Sequence, residues 1–264
     1  MNKKSSRGDG GSPLVSVLVP IYNVEKYLRQ CLASLEAQTL QDIEFICLND
    51  GSTDNSPKII QEFVKRDKRF KLLDKQNSGY GDSMNQGLAA ANGKYIGIVE
   101  SDDWAEPDMF EKLVNLAEVN KVQAVKSNFY FYVSRGGGSS SKFAIVDPNE
   151  VGSIINPRRT PHIFKGMSTI WSGLYNRQFL LDNEINFLPT PGASYQDTAF
   201  NFKVWAAATR VVYTNDAYLH YRIDNESSSV KSRSKVFCVC DEFASIKKYL
   251  LDNNLMEQLK AVYT

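Results

Sequence analysis

No uninterrupted apolar stretch in this sequence approaches the ~20 residues that a membrane-spanning helix requires, so no transmembrane segment is expected. The start, MNKKSSRGDGGSP, has no apolar core of the kind a secretory signal needs, and residues 1–13 read as a flexible lead-in. Net charge is nearly absent: 31 Lys and Arg face 30 Asp and Glu, leaving +1, which offers no electrostatic footprint for nucleic acid. Cysteine is limited to Cys31, Cys47, Cys238 and Cys240. The Cys238-x-Cys240 pair has no second Cys or His pair at ligand spacing, which argues for free thiols in a reducing cytosol rather than a zinc site. No internal repeat is evident.

What remains is an ordinary globular composition, 42% hydrophobic and 23% charged, long enough at 264 residues for one large domain or two small ones. From Leu14 to Val99 short apolar runs alternate with helical spacing. LVSVLVP, IEFICLND, FKLLD and KYIGIVE read as strands. VEKYLRQCLASLEAQ, SPKIIQEFVKRDKR and GDSMNQGLAAANG read as helices, the second capped by Ser56 and the third closed by Gly93. Continuous apolar strands alternating with helices predict a parallel sheet covered on both faces, with ligand beyond the carboxyl ends of its strands. A helix (DMFEKLVNLAEVNK) and a long strand (QAVKSNFYFYVS) follow, and RGGGSSSK reads as an exposed flexible tip. Residues 147–191 are irregular and rich in Pro, Gly and aromatics. Then come the helix YQDTAFNFKVWAAATR, the strand VVYTNDAYLHYRI, a Ser-rich loop and a last helix. That helix stops without an exit signal, as expected of a chain cut from a longer protein.

Acidic residues gather where strands end. Asp50, in LNDGSTDNS, is placed to accept from a nucleobase N–H, or is a plain turn residue. Gly79-x-Gly81 lacks the third glycine of a dinucleotide fingerprint, leaving a close approach to a ligand or a flexible helix entry. Glu100, Asp102 and Asp103 follow an apolar strand directly. Such oxygen ligands suit Mg2+ or Mn2+ alongside diphosphate oxygens, and a divalent ion explains how neighbouring acids stay ionised. Glu106 and Asp108 favour the next helix start. Asp197 opens a helix after a Pro/Gly-rich loop, either as a dipole-favoured acid or as a general base facing a cleft.

Taken in order, VPIYN, NDGSTD, GKYIGIVESDDW and YQDTAFNFKVW resemble the family 2 inverting glycosyltransferases of bacterial polysaccharide synthesis, over roughly Val15 to Tyr221. The resemblance implies the GT-A fold, an α/β nucleotide-diphospho-sugar transferase architecture with a mixed central sheet and helices on both faces. It implies a donor-binding half over 14–133, an acceptor-side and catalytic-base half over 134–230, and a C-terminal helical segment over 231–264. On this resemblance Pro20 and Tyr22 lie on the loop after the first strand beside the nucleotide, and Asp50 and Gly79 join them in the donor site. Asp102 or Asp103 binds the metal while its neighbour faces the ribose, His220 completes the metal shell or is a packed or surface histidine, and Arg222 contacts the diphosphate. Trp171 stacks on an acceptor sugar or serves the core, and Lys231 and Arg233 either close over phosphates or stand as solvated charge. Asp197 is the base. Glu100 and Gln196 depart from the family pattern, standing where Asp and an acid are usual.

The expected activity is transfer of a sugar, from a donor of the UDP-sugar type, to a glycan or lipid-linked acceptor hydroxyl with inversion, assisted by Mn2+ or Mg2+. The expected setting is the cytoplasm, with peripheral association at the inner membrane face and no nucleic-acid partner. The contrasting reading is an inactive nucleotide-sugar or glycan binding module. A glycoside hydrolase leaves NDGSTD and the early βα pattern unexplained.

Overall fold

The apolar run after Leu14 forms β1 (Val15–Ile21), whose seven residues are all buried. A computed structural model describes residues 12–193, 195–225 and 237–263. After β1 come α1 (Glu25–Glu36), β2 (Ile43–Asp50), α2 (Ser56–Arg66), β3 (Phe70–Lys75), α3 (Tyr80–Ala90), β4 (Tyr95–Ile98) and β5 (Trp104–Ala105). The chain continues through α4 (Met109–Asn120), β6 (Ala124–Val133), β7 (Ser139–Phe143), β8 (Ile154–Ile155) and β9 (Gly173–Asn176). It closes with α5 (Arg177–Asp182), α6 (Gln196–Ala207), β10 (Val211–Arg222), α7 (Cys238–Asp252) and α8 (Met256–Tyr263).

The strands form one sheet in the order β3-β2-β1-β4-β9-β6-β10-β5, with β7 added to β6 and β8 to β10. β1, β2, β3 and β4 are mutually parallel, as continuous apolar strands joined by helices require. β9 enters antiparallel between β4 and β6, and β10 then pairs parallel with β6, so the sheet is mixed. α3 packs on β1 and β2, and α4 on β6, β9 and β10. Phe45, Phe63, Phe110 and Tyr175 are among the large side chains fully withdrawn from water, each contributing about 1.5–3 kcal/mol. A smaller cluster joins Ala199, Phe202 and Ala206 of α6 to Ile246, Leu250 and Leu259 of α7 and α8.

Several local expectations are corrected. Ser56 is the first helical residue of α2 rather than its cap, because its hydroxyl is taken by the main-chain N–H of Val24 at 3.1 Å. α3 ends at Ala90, three residues before Gly93, and Gly93 instead lies where any Cβ would meet the main-chain nitrogen of Ser16 at 2.4 Å. The RGGGSSSK segment is exposed but not shapeless: Ser139–Phe143 pairs antiparallel with β6. The last helix is two helices, α7 and α8. All four cysteines are free. No helix of the described residues is long and apolar enough to cross a membrane.

Candidate active site

Because β1 to β4 run parallel, their carboxyl ends share one edge, and the sequence places Tyr22, Asp50, Lys75 and Glu100 there. Pro20 lies inside β1, opposite Leu48, rather than on the following loop. It falls beyond Leu18, the last rung that β1 shares with β4, so its missing N–H breaks no bond to β4. Tyr22 stands just past the strand and is 54% exposed.

Asp50 is buried at the tip of β2 and organises the loop after β3. Its Oδ1 pairs with the Lys75 ammonium and accepts from the Ser78 N–H at 2.9 Å. Its Oδ2 accepts from the Gly79 N–H at 3.0 Å, and its carbonyl from Asn77 Nδ2 at 3.0 Å. Gly79 adopts φ +95°, and a Cβ there would strike the main chain of Thr190 and Gly192 at 2.8 Å. The next residue seals the contact, since the Tyr80 N–H donates to the Gly192 carbonyl at 2.9 Å. The loop leading into α6 is thus held against the start of α3.

The acids after β4 differ in their surroundings. Glu100 accepts the Tyr80 hydroxyl at 2.7 Å. Burial, followed by repulsion from Asp102 and Asp197, pushes its carboxyl up to about 8 against the opposing pull of the Tyr80 hydrogen bond. Asp103 is 1% exposed. Its Oδ1 accepts the Arg222 N–H at 2.8 Å, while Oδ2 has no hydrogen-bond partner among the described residues. Burial, with Asp102 next in size, holds its carboxyl well above the ordinary range. Asp102 is half-buried, and its Oδ2 accepts from Asn225 Nδ2 at 2.7 Å.

Arg222 braces this turn. Its Nε donates to the Asp102 carbonyl at 3.0 Å, Nη1 to Ser134 Oγ at 2.6 Å and Nη2 to Gln30 Oε1 at 2.7 Å. The guanidinium lies 4.6, 5.3 and 4.9 Å from the rings of Tyr27, Trp104 and Tyr132. His220 does not join the acids. Its Nδ1 lies 2.8 Å from Ser140 Oγ, its Nε2 2.7 Å from Glu106 Oε1, and its ring stacks between Trp104 and Tyr130. With both nitrogens engaged, the expected place in a metal shell is replaced by a bracing one. Among the described residues, the one group of three such ligand atoms lying within 4.8 Å of one another is Asp147, Glu150 and His162, outside the acidic turn.

Asp197 stands in the first turn of α6. The preceding Gln196 is buried and ties its Nε2 to Thr190 Oγ1 at 2.9 Å, so the amide in place of an acid fastens the entering loop. Burial pushes the Asp197 carboxyl up to about 6, opposed by the N–H of Thr198, its own N–H and the charge of Lys126. The Gly192 carbonyl in the loop that enters α6 accepts the Tyr80 N–H, and Tyr80 donates its hydroxyl to Glu100, so the start of α6 lies at the same edge as the acidic turn. Lys126 lies on β6, only 5% exposed, with its ammonium on the Thr169 carbonyl. Burial lowers it to about 7 against the pull of Asp197. Trp171 is 6% exposed, stacked on Tyr221 at 5.0 Å with Phe129 at its edge, so it serves the core and Tyr221 is the more exposed ring of the pair.

Tyr80, Lys126 and Tyr221 were not among the expected site residues. Lys126 had a visible signal, a lone charge inside the apolar run QAVKSNFYF. Lys231 and Arg233 lie outside the described residues.

Comparison with known proteins gives this geometry a family. The chain is 31% identical to the glycosyltransferase EpsH of Bacillus subtilis over 258 residues, covering 94% of this chain and 72% of that one. It is 34% identical to the glycosyltransferase EpsJ of the same organism over 223 residues, covering 80% of this chain and 61% of that one. A stretch of 99 residues is 39% identical to a chondroitin synthase from Pasteurella multocida, covering 38% of this chain and 10% of that one. Among solved structures, residues 1–349 of S. aureus TarS with UDP-GlcNAc superpose with a TM-score of 0.74 at 21% identity, covering 93% of this chain and 71% of that one. The mannosyltransferase PcManGT of Pyrobaculum calidifontis, with GDP-Man and Mn2+, superposes with a TM-score of 0.59 at 14% identity, covering 96% and 68%. The fold is therefore the α/β GT-A fold of glycosyltransferases. The description Glycosyl transferase family 2 matches residues 16–177, more than half of the sequence, and the chain belongs to that family.

Proposed function

We propose that this glycosyltransferase moves a sugar from a UDP-sugar to an acceptor hydroxyl with inversion, using Asp197 as base. The carrying observation is Asp197 itself: a half-buried carboxylate, pushed up to about 6 chiefly by desolvation, in the first turn of α6, whose entering loop is hydrogen-bonded to Tyr80 beside the acidic turn. The acceptor oxygen attacks the anomeric carbon from the face opposite the diphosphate. The bond from that carbon to the diphosphate oxygen breaks, the acceptor proton passes to Asp197, and the nucleoside diphosphate leaves. Pro20, Tyr22, Asp50 and Gly79 would line the nucleotide side, with Asp50 accepting from the base. Arg222 would act by bracing the acidic turn. We assign donor binding to residues 14–133 and acceptor and base to 134–230.

A divalent cation fits the acidic turn. The donors are hard oxygens, and Asp103 Oδ2 is a buried acceptor without a hydrogen-bond partner among the described residues. Asp102 and Asp103 would hold Mn2+ or Mg2+, which when bound offsets charge on the diphosphate. We infer a role in cell-surface or exopolysaccharide synthesis on a glycan or lipid-linked glycan, at the cytoplasmic face of the membrane. The chondroitin synthase relative supports the polysaccharide part.

The test is release of UDP from a panel of UDP-sugars with Mn2+, alongside calorimetric donor binding. Asp197→Asn should abolish turnover and leave donor affinity within about twofold. Unchanged turnover in that variant overturns the assignment. Binding by the wild type without release across the panel identifies a binding module instead.

A further inference from the structure

The aromatic residues at the end of β6 are sorted between the two faces of the sheet by the alternation of a strand. Tyr130 and Tyr132 point to one face, where Tyr130 stacks on His220 and Tyr132 meets Trp104 and the Arg222 guanidinium. Phe129 and Phe131 point to the other. There they lie 5.3 and 4.8 Å from the Phe143 ring of β7, and Phe131 lies 6.1 Å from the Tyr221 ring of β10. Trp171 completes the group, parallel to Tyr221 at 5.0 Å and edge-on to Phe129 at 4.8 Å.

Burial divides these rings into a floor and a row upon it. Phe129 and Trp171 are buried, Phe131 and Tyr221 are half-buried, and Phe143 is 38% exposed. Water therefore reaches the row Phe143–Phe131–Tyr221. The face is not uniformly apolar. Ser141 pairs with Phe131 and Ser139 with Val133, so both serines stand on the same face as the row, and both are exposed. Tyr221 adds a phenol hydroxyl.

The row also has a direction. Phe143 lies on β7, which among the described residues pairs with β6 alone. Tyr221 immediately precedes Arg222, whose N–H is bonded to Asp103 Oδ1 at 2.8 Å. The rings thus lead from an outer strand to the acidic turn. Aromatic faces beside hydroxyls suit a sugar chain, whose C–H faces pack on rings while its own hydroxyls take hydrogen bonds. A hydrocarbon chain would leave the serine hydroxyls unused.

We propose that the row Phe143–Phe131–Tyr221 is a docking track for the glycan of the acceptor, with Tyr221 under the sugar nearest the acidic turn and Phe143 under a more distant one. This rests on the reading of the protein as a transferase to a glycan.

The experiment applies the full chain, with UDP and Mn2+, to an array of bacterial surface oligosaccharides of graded length, and measures the affinity of those retained by calorimetry. Phe143→Ser should weaken the longest retained oligosaccharide about tenfold. Phe143→Trp, which keeps a ring, should bind it as the wild type does. Tyr221→Ala should weaken short and long oligosaccharides alike, because it removes the inner end of the track. UDP affinity within about twofold of the wild type reports that each variant is folded. Unaltered glycan affinity in folded Phe143→Ser overturns the proposal, and so does an array that retains no wild-type protein. Loss in Phe143→Ser of binding to phosphatidylglycerol vesicles, with glycan affinity unaltered, overturns it in favour of a lipid surface. If Phe143→Ser does not fold, Ser141→Arg, on the same exposed strand, decides: a long side chain laid across the row should cost a similar factor, and an unaltered affinity overturns the proposal equally. Failure of the transferase reading shows separately, as no release of UDP from any UDP-sugar, which the array does not use.

Discussion

His220 Nε2 and Glu106 Oε1 lie 2.7 Å apart, joining β10 to the segment between β5 and α4. The other ring nitrogen is held by Ser140 of β7, so one imidazole ties three elements together. His220→Ala removes both bonds and the stack between Trp104 and Tyr130. We expect a loss of about 2–4 kcal/mol in urea unfolding, with no change in the Mn2+ concentration that half-saturates turnover. A large rise in that concentration would return His220 to the metal shell.

Gly81 lies in the first turn of α3, where an added Cβ would fall 2.0 Å from the Leu188 carbonyl oxygen. Backbone cannot yield as a flexible side chain can. Gly81→Ala should therefore cost more than about 3 kcal/mol and displace the loop that delivers Asp197. Gly166→Ala, whose Cβ would find its nearest atom at 3.6 Å, should stay within about 0.5 kcal/mol. Equal unfolding midpoints for the two variants would refute the contact.

Glu242 of α7 is 1% exposed, and neither carboxylate oxygen has a side-chain partner among the described residues. Burial, with Asp197 and Asp241 adding to it, raises its carboxyl from 4.5 to about 7, despite the Ala199 N–H and Lys203. The folded state then holds a proton that the unfolded state releases, so this group's contribution to stability falls as pH climbs from 4.5 to about 7. Glu242→Gln should match the wild type near pH 4.5 and melt a few degrees higher at pH 8. A melting difference that does not change with pH would reject this account.

The frame was legible where burial is two-sided. β1, β2 and β4 are continuous apolar runs, and the acids that follow them had to stand at the carboxyl edge. The two-residue β5 and the four-residue β9 are too short to carry a period, and β7 is a serine run that pairs only because β6 offers it a partner. The site was legible in its acids but not in their roles. Asp102 and Asp103 look equivalent in sequence, yet one is half-buried and the other is closed in by the Arg222 N–H. Partners far apart in the chain decide this: Asp103 meets residue 222, Glu100 meets residue 80, and His220 meets residues 106 and 140.

β9 hydrogen-bonds to β4 on one side and to β6 on the other. The parallel strands β1 to β4 and the strand that carries Lys126 are therefore parts of one continuous sheet. Among the described residues, the two halves of the sheet are joined by hydrogen bonds on both sides of β9. A sheet paired on both sides of β9 puts the adaptable part of the fold in the connections at its carboxyl edge, and we expect hydrogen exchange to be faster there than in β4, β9 and β6.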